Sequence, residues 1–223
     1  MHIMLDSELW GIIGTTLRVT LPSSAISTVL GTLLGLSLYS ARLPGKRLIV
    51  RVNRTLMAAP PVVIGLITYL LFMRNGVFGF LNLLFTVRAM IIAQVLIITP
   101  IICGMVYAAA ERNAPRIRAF GITMGANRPQ ARVLLIRELS AEIYFAAITG
   151  FGRAVSEVGA VMIVGGNIQH KTRTMTTAIT LLRNKGNYTK AITLGGILLV
   201  IAFMIQLIAD ALRRKERTAI ENY

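Results

Sequence analysis

Charge is scarce in this chain, and acidic charge is scarcest. Only 15% of the 223 residues are charged against 55% hydrophobic, and nine Asp and Glu face 24 Lys and Arg. A soluble domain carries about 25% charged residues. The charges here are also clustered and leave long uncharged runs, with a mean hydropathy of +0.67. That pattern excludes an ordinary soluble globule and indicates an integral membrane protein. The single cysteine, Cys103, excludes an internal disulfide and reads as small packing within an apolar run. Two histidines far apart, His2 and His170, argue against a structural zinc site. No GxxxxGK(S/T) loop is present to bind nucleotide. There is no GxSxG or Ser–His–Asp pattern either, which argues against an enzyme acting alone. No catalytic, cofactor-binding or metal-ligating residue is therefore expected.

What is present is positive charge in the right places for a bilayer. The formal net charge is +15, a size seen in nucleic-acid binders. The basic residues sit in short blocks beside apolar runs, where the positive-inside rule places them, so no nucleic-acid partner is expected. The opening residues, MHIMLDSELW, carry Asp6 and Glu8 in place of a basic n-region. No cleavable signal peptide is expected, and the spans act as their own insertion signals.

A bilayer core of about 30 Å needs about 20 apolar helical residues. Residues 1–18 read as an N-terminal segment with an amphipathic stretch over 7–18, Trp10 being suited to the interface. Five spans follow, over about 19–41, 56–73, 89–110, 139–164 and 191–211, within one transmembrane unit over 19–210. The basic block 42–54 places Leu48, Ile49, Val52 and Leu56 near helical spacing and predicts a short interfacial helix. Pro60 and Pro61 predict a kink or break at the membrane entrance. The Gly- and Asn-bearing connector 74–88 is open between a re-entrant or interfacial segment and part of an additional span. The segment 165–190 is too polar for a simple span, and its Met175, Ile179, Leu181 and Leu182 predict a short helix packed on the bundle. The tail 211–223 is charged. With 42–54, 111–137 and 213–217 on one side, that side holds fifteen Lys and Arg against eight on the other. This places the N-terminus outside and the C-terminus in the cytoplasm, although five of the eight lie in 165–190.

Residues 111–138 form a basic, polar insert between two apolar runs. Helix is expected over 114–124, a turn at Gly125 or Asn127, and a second helix opened by Pro129, whose missing N–H costs little in a first turn. Arg128, Arg132 and Arg137 take polar positions, and Val133, Leu134 and Ile136 apolar ones. Two readings are open: a solvated cytoplasmic loop, or a knob that docks in a groove of a soluble partner. Arg153 and Glu157 are charges inside the fourth run, each costing at least about 2–3 kcal/mol in lipid. Their i,i+4 spacing lets them meet on one helix face. They read either as a mutually neutralised pair or as a pathway feature, Arg153 attracting an anion in transit. Lys171, Thr172, Arg173 and Thr174 fall on the expected outer side, as a loop capping the bundle or as a surface that meets a partner or funnels anions.

The spacing around Gly125 resembles the cytoplasmic loop of ABC importer permeases: EAA, three residues, Gly, nine residues, then Ile-x-Leu-Pro. Here Ala119, Phe120 and Gly121 stand at the EAA places, Gly125 at the glycine, Leu135 at the Ile, and Arg137–Glu138 where Leu-Pro stands in the motif. GFGRAVSEVGAVMIVGGNIQHKTRTMTTAI (150–179) resembles oxyanion-importer permeases, most closely the tungstate subfamily, with related molybdate permeases showing a similar stretch near Ser156–Ala160. APPVVIGL (59–66) is similar to the proline pair opening a permease span. The resemblance covers nearly the whole chain, in order. It implies an all-α, type I ABC importer permease bundle of about five transmembrane helices, in the plasma membrane of a prokaryote. The implied partners are a second copy of the chain, two ABC ATPase subunits that bind the ATP, and an extracytoplasmic oxyanion-binding protein. It implies a coupling helix over about 114–125, with Ala119, Phe120, Gly121, Gly125, Ala126 and Arg128 as contact candidates, and no cofactor on this chain. Tungstate is the expected cargo, with molybdate or sulfate as alternatives. An ATP-independent anion channel or carrier, or a membrane scaffold, remain as other classes.

Overall fold

Apolar runs with no polar partner for their own backbone must fold as helices in lipid, since each N–H and C=O then bonds within its own segment. The computed structural model describes residues 7–41 and 43–221; the side chains of Ser7, Arg118, Arg128, Pro129, Arg132 and 212–221 lie outside that description. Helix makes up 81% of the described residues, and no strand is present among them. The helices are α1 (Ser7–Ser40), α2 (Lys46–Met57), α3 (Pro61–Phe72), α4 (Val87–Thr123), α5 (Arg128–Glu138), α6 (Ser140–Ser156), α7 (Gly159–Gly165), α8 (Met175–Asn184) and α9 (Tyr188–Glu221), with a short 3₁₀ turn at Gly79–Leu81.

Three helices are long and apolar enough to cross a membrane: α1 over Glu8–Ser40, α4, and α9 over Tyr188–Ala211. The pairs α2–α3 and α6–α7 qualify jointly, bent by 101° and 58°; counting each pair as one span gives five. The first bend lies where the proline pair predicts it. Pro60 is the extended N-cap of α3 and Pro61 opens the helix. The second bend, at Glu157–Val158, carries no proline and no sequence signal.

Two expected boundaries move. The 7–18 stretch is not a separate helix but the first three turns of α1, which runs through Pro22 without a break. Its Leu9, Ile12 and Ile13 pack on Met175, Ala178 and Leu194 of α8 and α9, which holds it in line with the bundle. Likewise 114–124 is not an independent helix but the end of α4, which contains both Pro100 and Pro115. At 1.5 Å per residue its 37 residues extend about 56 Å, well beyond a hydrocarbon core of about 30 Å. Its charged end therefore projects past the lipid. Of the connector 74–88, residues 87 and 88 already belong to α4, and 74–86 hold only turns, irregular links and the 3₁₀ segment, with Phe85 N–H donating to Val164 O at 3.0 Å.

The core is built on α1 against α4. Small residues let the backbones close: a Cβ at Gly31 would meet Ile102 Cβ at 2.7 Å, and one at Gly35 would meet Cys103 O at 2.8 Å. Ile98, Ile102 and Val106 of α4 bury against Ala146 and Ala154 of α6. This packing sorts the connections onto two ends. One end gathers the start of α1 with the 167–174 loop, through Glu8 and Arg173. The other gathers Tyr39, Lys46, the end of α4, α5 and the start of α6.

Candidate functional site

Two features stand out, one at the basic end and one inside the bundle. At the basic end, α4 and α5 fold back on each other as a helical hairpin. Ala109, Ala110 and Ala114 of α4 bury against Leu135 and Leu139, with Ile117 and Ile143 packed beside them. The turn is closed from both sides. Gly125 takes φ +74°, the left-handed conformation that glycine adopts at least cost. Ala126 N–H donates to Gly121 O at 2.8 Å and Gly125 N–H to Ile122 O at 3.0 Å, the bond pair of a Schellman terminus. Asn127 then caps α5: its side chain accepts from Gln130 N at 3.0 Å, and Gln130 returns a bond to Asn127 N at 2.9 Å.

Each end of the turn thus satisfies backbone groups that a helix terminus otherwise leaves open. The hairpin is stiff, and its tip is apolar and exposed: Phe120 is 61% accessible, Ile122 and Met124 72% each. Exposed apolar residues clustered beside polar ones mark interaction sites. Of the sequence candidates, Ala119, Phe120 and Gly125 lie open at this tip and Ala126 is half-buried. Gly121 instead faces inward, with Leu134 Cδ2 3.6 Å from where its Cβ would be. Ile122 and Met124 were not among the candidates. The end of α4 projects with only Gly121 turned to α5, so the exposed residues follow no helical period that would mark them.

Inside the bundle, α6 stops at Ser156. Glu157 is extended (φ −72°, ψ 126°) and α7 restarts at Gly159. Glu157 is only 5% accessible, and its carboxylate has two partners. Oε2 lies 3.3 Å from Arg153 Nη2, and Oε1 accepts from Ala160 N at 3.1 Å, capping the restarted helix. The pairing expected from spacing is present, but across a helix end rather than along one face. Neighbouring polar groups take up the rest of the break. Thr176 donates to Glu157 O at 3.0 Å, and Gln94 donates Nε2–H to Ala154 O at 3.0 Å while accepting from Ser23 Oγ at 2.5 Å. Irregular backbone at membrane depth persists only when protein satisfies it in this way. Gln94 could have been found as the one amide side chain within the uncharged 89–110 run. Thr176 and Ser23 carry no such signal.

On the α6 surface, Thr149, Gly152 and Ser156 are exposed and Arg153 is half-exposed, a polar stripe of small residues bearing one cation. At the opposite end from the hairpin, Thr172 and Thr174 are buried. Thr172 donates to Gly165 O and accepts from Ile168 N at 2.9 Å, and Thr174 caps α8 in a capping box with Thr177. Their hydroxyls are committed to the fold. Lys171 is exposed, and Arg173 is half-buried and paired with Glu8 at 3.2 Å. No group of His, Cys, Asp and Glu among the described residues is placed to hold a metal ion.

A membrane helix bundle, a projecting capped hairpin at its basic end and a broken helix within are now in view. Residues 27–218 match the family described as the binding-protein-dependent transport system inner membrane component. The chain belongs to that family. It is an ABC importer permease, of the kind that works with ATPase and substrate-binding proteins. It is 39% identical over 213 residues to the tungstate uptake system permease protein TupB of Peptoclostridium acidaminophilum, covering 96% of this chain and 93% of that one. It is 35% identical to a probable anion ABC transporter permease protein of Haloferax volcanii, covering 95% and 92%. A sulfate transport system permease protein, CysW of Synechococcus elongatus, is 32% identical, covering 90% and 76%. A multi-pass protein of the plasma membrane is its setting.

Proposed function

We propose that this chain is the permease of an ATP-driven tungstate importer. Two copies form the pathway, two separate ATPase subunits drive it from the cytoplasm, and an external binding protein delivers the anion. The observation that carries the proposal is the stiff hairpin with Phe120, Ile122 and Met124 bare at its tip. A short apolar knob on a rigid support suits helix-in-groove docking, in which a partner's motion is passed to the flanking spans without loss in a soft linker. The hairpin continues directly into α4 and, through Leu139, into α6, so a push at the tip acts on both. Tungstate as cargo rests on the likeness to TupB. Two copies are supported by the polar α6 stripe and by the exposed apolar faces of α1 and α3, such as Leu33, Leu34, Val63 and Leu66. The excess of basic residues at the hairpin end supports a cytoplasmic hairpin, with the N-terminus outside.

The test is uptake of labelled tungstate by proteoliposomes or cells containing the assembled transporter. Phe120→Asp combined with Met124→Asp is expected to lower ATP-dependent uptake at least about tenfold, a loss of about 1.4 kcal/mol or more of docking energy, with the permease still folded. Uptake that persists without any ATPase would make the chain a channel or carrier. Preferential uptake of molybdate or sulfate would overturn the cargo and leave the permease standing.

A further inference from the structure

Beside the hairpin lies a cavity that the docking role does not use. It is about 660 Å3, between α2 and α4, and is lined by Lys46, Arg47, Arg51, Arg54, Tyr107 and Glu111. Four cations thus face one carboxylate. That carboxylate is already engaged, accepting from Tyr107 Oη at 3.0 Å. Lys46 is held in place: its Nζ donates to Tyr39 O at 2.7 Å and lies 5.6 Å from the ring centres of both Tyr39 and Tyr107. Arg47, Arg51 and Arg54 recur at i, i+4 and i+7, one stripe of α2, and make no ion pair with a described residue.

The stripe is set by how α2 is anchored. Asn53 donates to Pro100 O at 3.1 Å, and Met57 packs against Gly104, where a Cβ would come 2.3 Å from its Sδ. These contacts fix the rotation of α2 and turn the arginines to the cavity. Charge bias across the membrane accounts for basic residues near this end, but not for their convergence on one cavity. Like charges at helical spacing repel, and an anion between them reverses the sign. Guanidinium forks match the oxygen spacing of tetrahedral oxyanions, and a fixed ammonium adds a point charge.

We propose that this cavity binds a tetrahedral oxyanion, with Arg51, Arg54 and Lys46 as its donors. The volume falls in the range of small-molecule sites, about 300–1,000 Å3, and exceeds a bare oxyanion, so the ligand enters hydrated or tethered. Two sources share this chemistry: free cargo anion at the pathway's mouth, which rests on the proposed function, and the phosphate of an anionic phospholipid, which does not.

The full-length chain in nanodiscs of purely zwitterionic lipid provides the first arm, read as tungstate bound in equilibrium dialysis. Arg51→Gln with Arg54→Gln is expected to weaken binding at least about tenfold, and Glu111→Gln to strengthen it about threefold, since it removes the one opposing charge. The second arm measures phosphatidylglycerol retained in native mass spectrometry from mixed-lipid nanodiscs. Substitution-sensitive tungstate binding identifies the free anion. Absence of tungstate binding together with substitution-sensitive lipid retention identifies the lipid phosphate. Binding in neither arm, or binding indifferent to both the double substitution and Glu111→Gln, overturns the site. Normal tungstate uptake alongside that last result would leave the permease standing and the site refuted.

Discussion

The hairpin at the basic end and the break inside the bundle both interrupt a helix, yet they do so by opposite means. At the hairpin every terminating device is local: Gly125 with φ +74°, the Asn127–Gln130 capping box and Pro129 in the first turn of α5. At Glu157 the carboxylate caps the restarted helix locally, but the rest of the break is held from a distance, by Gln94, Ser23 and Thr176 on three other helices, and by α3 pressing on α7. A turn in water can be encoded by its own residues, because solvent satisfies whatever they leave open. A break in lipid has no such recourse and needs partners from the fold. The two regions should therefore respond differently to substitution.

The largest effect is expected where the tertiary contact is tightest. A Cβ at Gly65 would lie 2.5 Å from Ala160 Cα. Since both sides are backbone, Gly65→Ala should cost about 3 kcal/mol, the upper end for overpacking, read as a lowered unfolding midpoint in detergent. A midpoint within error of the parent would mean that α3 and α7 do not meet as described. Next comes Gln94→Leu, which removes the two bonds Gln94 makes across the bundle, leaving Ala154 O only its long bond from Glu157 N–H and Ser23 Oγ only Thr20 O, at about 2 kcal/mol. Adding Ser23→Ala should recover part of that loss in a double-mutant cycle, and strict additivity would show the pair uncoupled.

The hairpin's substitutions should be milder. Asn127→Ala removes the cap at about 1 kcal/mol, and Gly125→Ala forces an L-residue into the left-handed region at about 1–2 kcal/mol. Both should appear as faster hydrogen exchange confined to 120–131, with the bundle's midpoint unmoved; a global drop would abolish the contrast. Gly121→Ala is expected to shift stability by less than about 0.5 kcal/mol, because its new methyl meets Leu134 at ordinary contact distance, 3.6 Å.

The same contrast explains what could be read from the residues. The proline pair at 60–61, the short helix within 165–190 and the turn at Gly125 each carry their own local signal, and each lies where expected. The continuity of α4 past Ala110 was not legible, since Glu111 and Pro115 look like a boundary. What carries the helix through is Ala114 burying against Leu135 of α5 and Leu139 at the joint between α5 and α6. Thr172 and Thr174 look like surface residues, and only the fold turns their hydroxyls inward. Arg153 and Glu157 could be paired from their spacing, but not placed on either side of a helix end.

By itself the sequence determined that the chain lives in a membrane, where its apolar runs lie, which end is basic and which family it joins. Composition and short spacings act through solvation and local backbone geometry, and both are properties of neighbouring residues. Only the tertiary structure decided the break at Glu157, the exposed tip formed by Phe120, Ile122 and Met124, and the gathering of Lys46, Arg51 and Arg54 around one cavity. Each depends on which helices meet and at what rotation, and that is fixed by close backbone approach and by polar groups that find their partners only across the bundle.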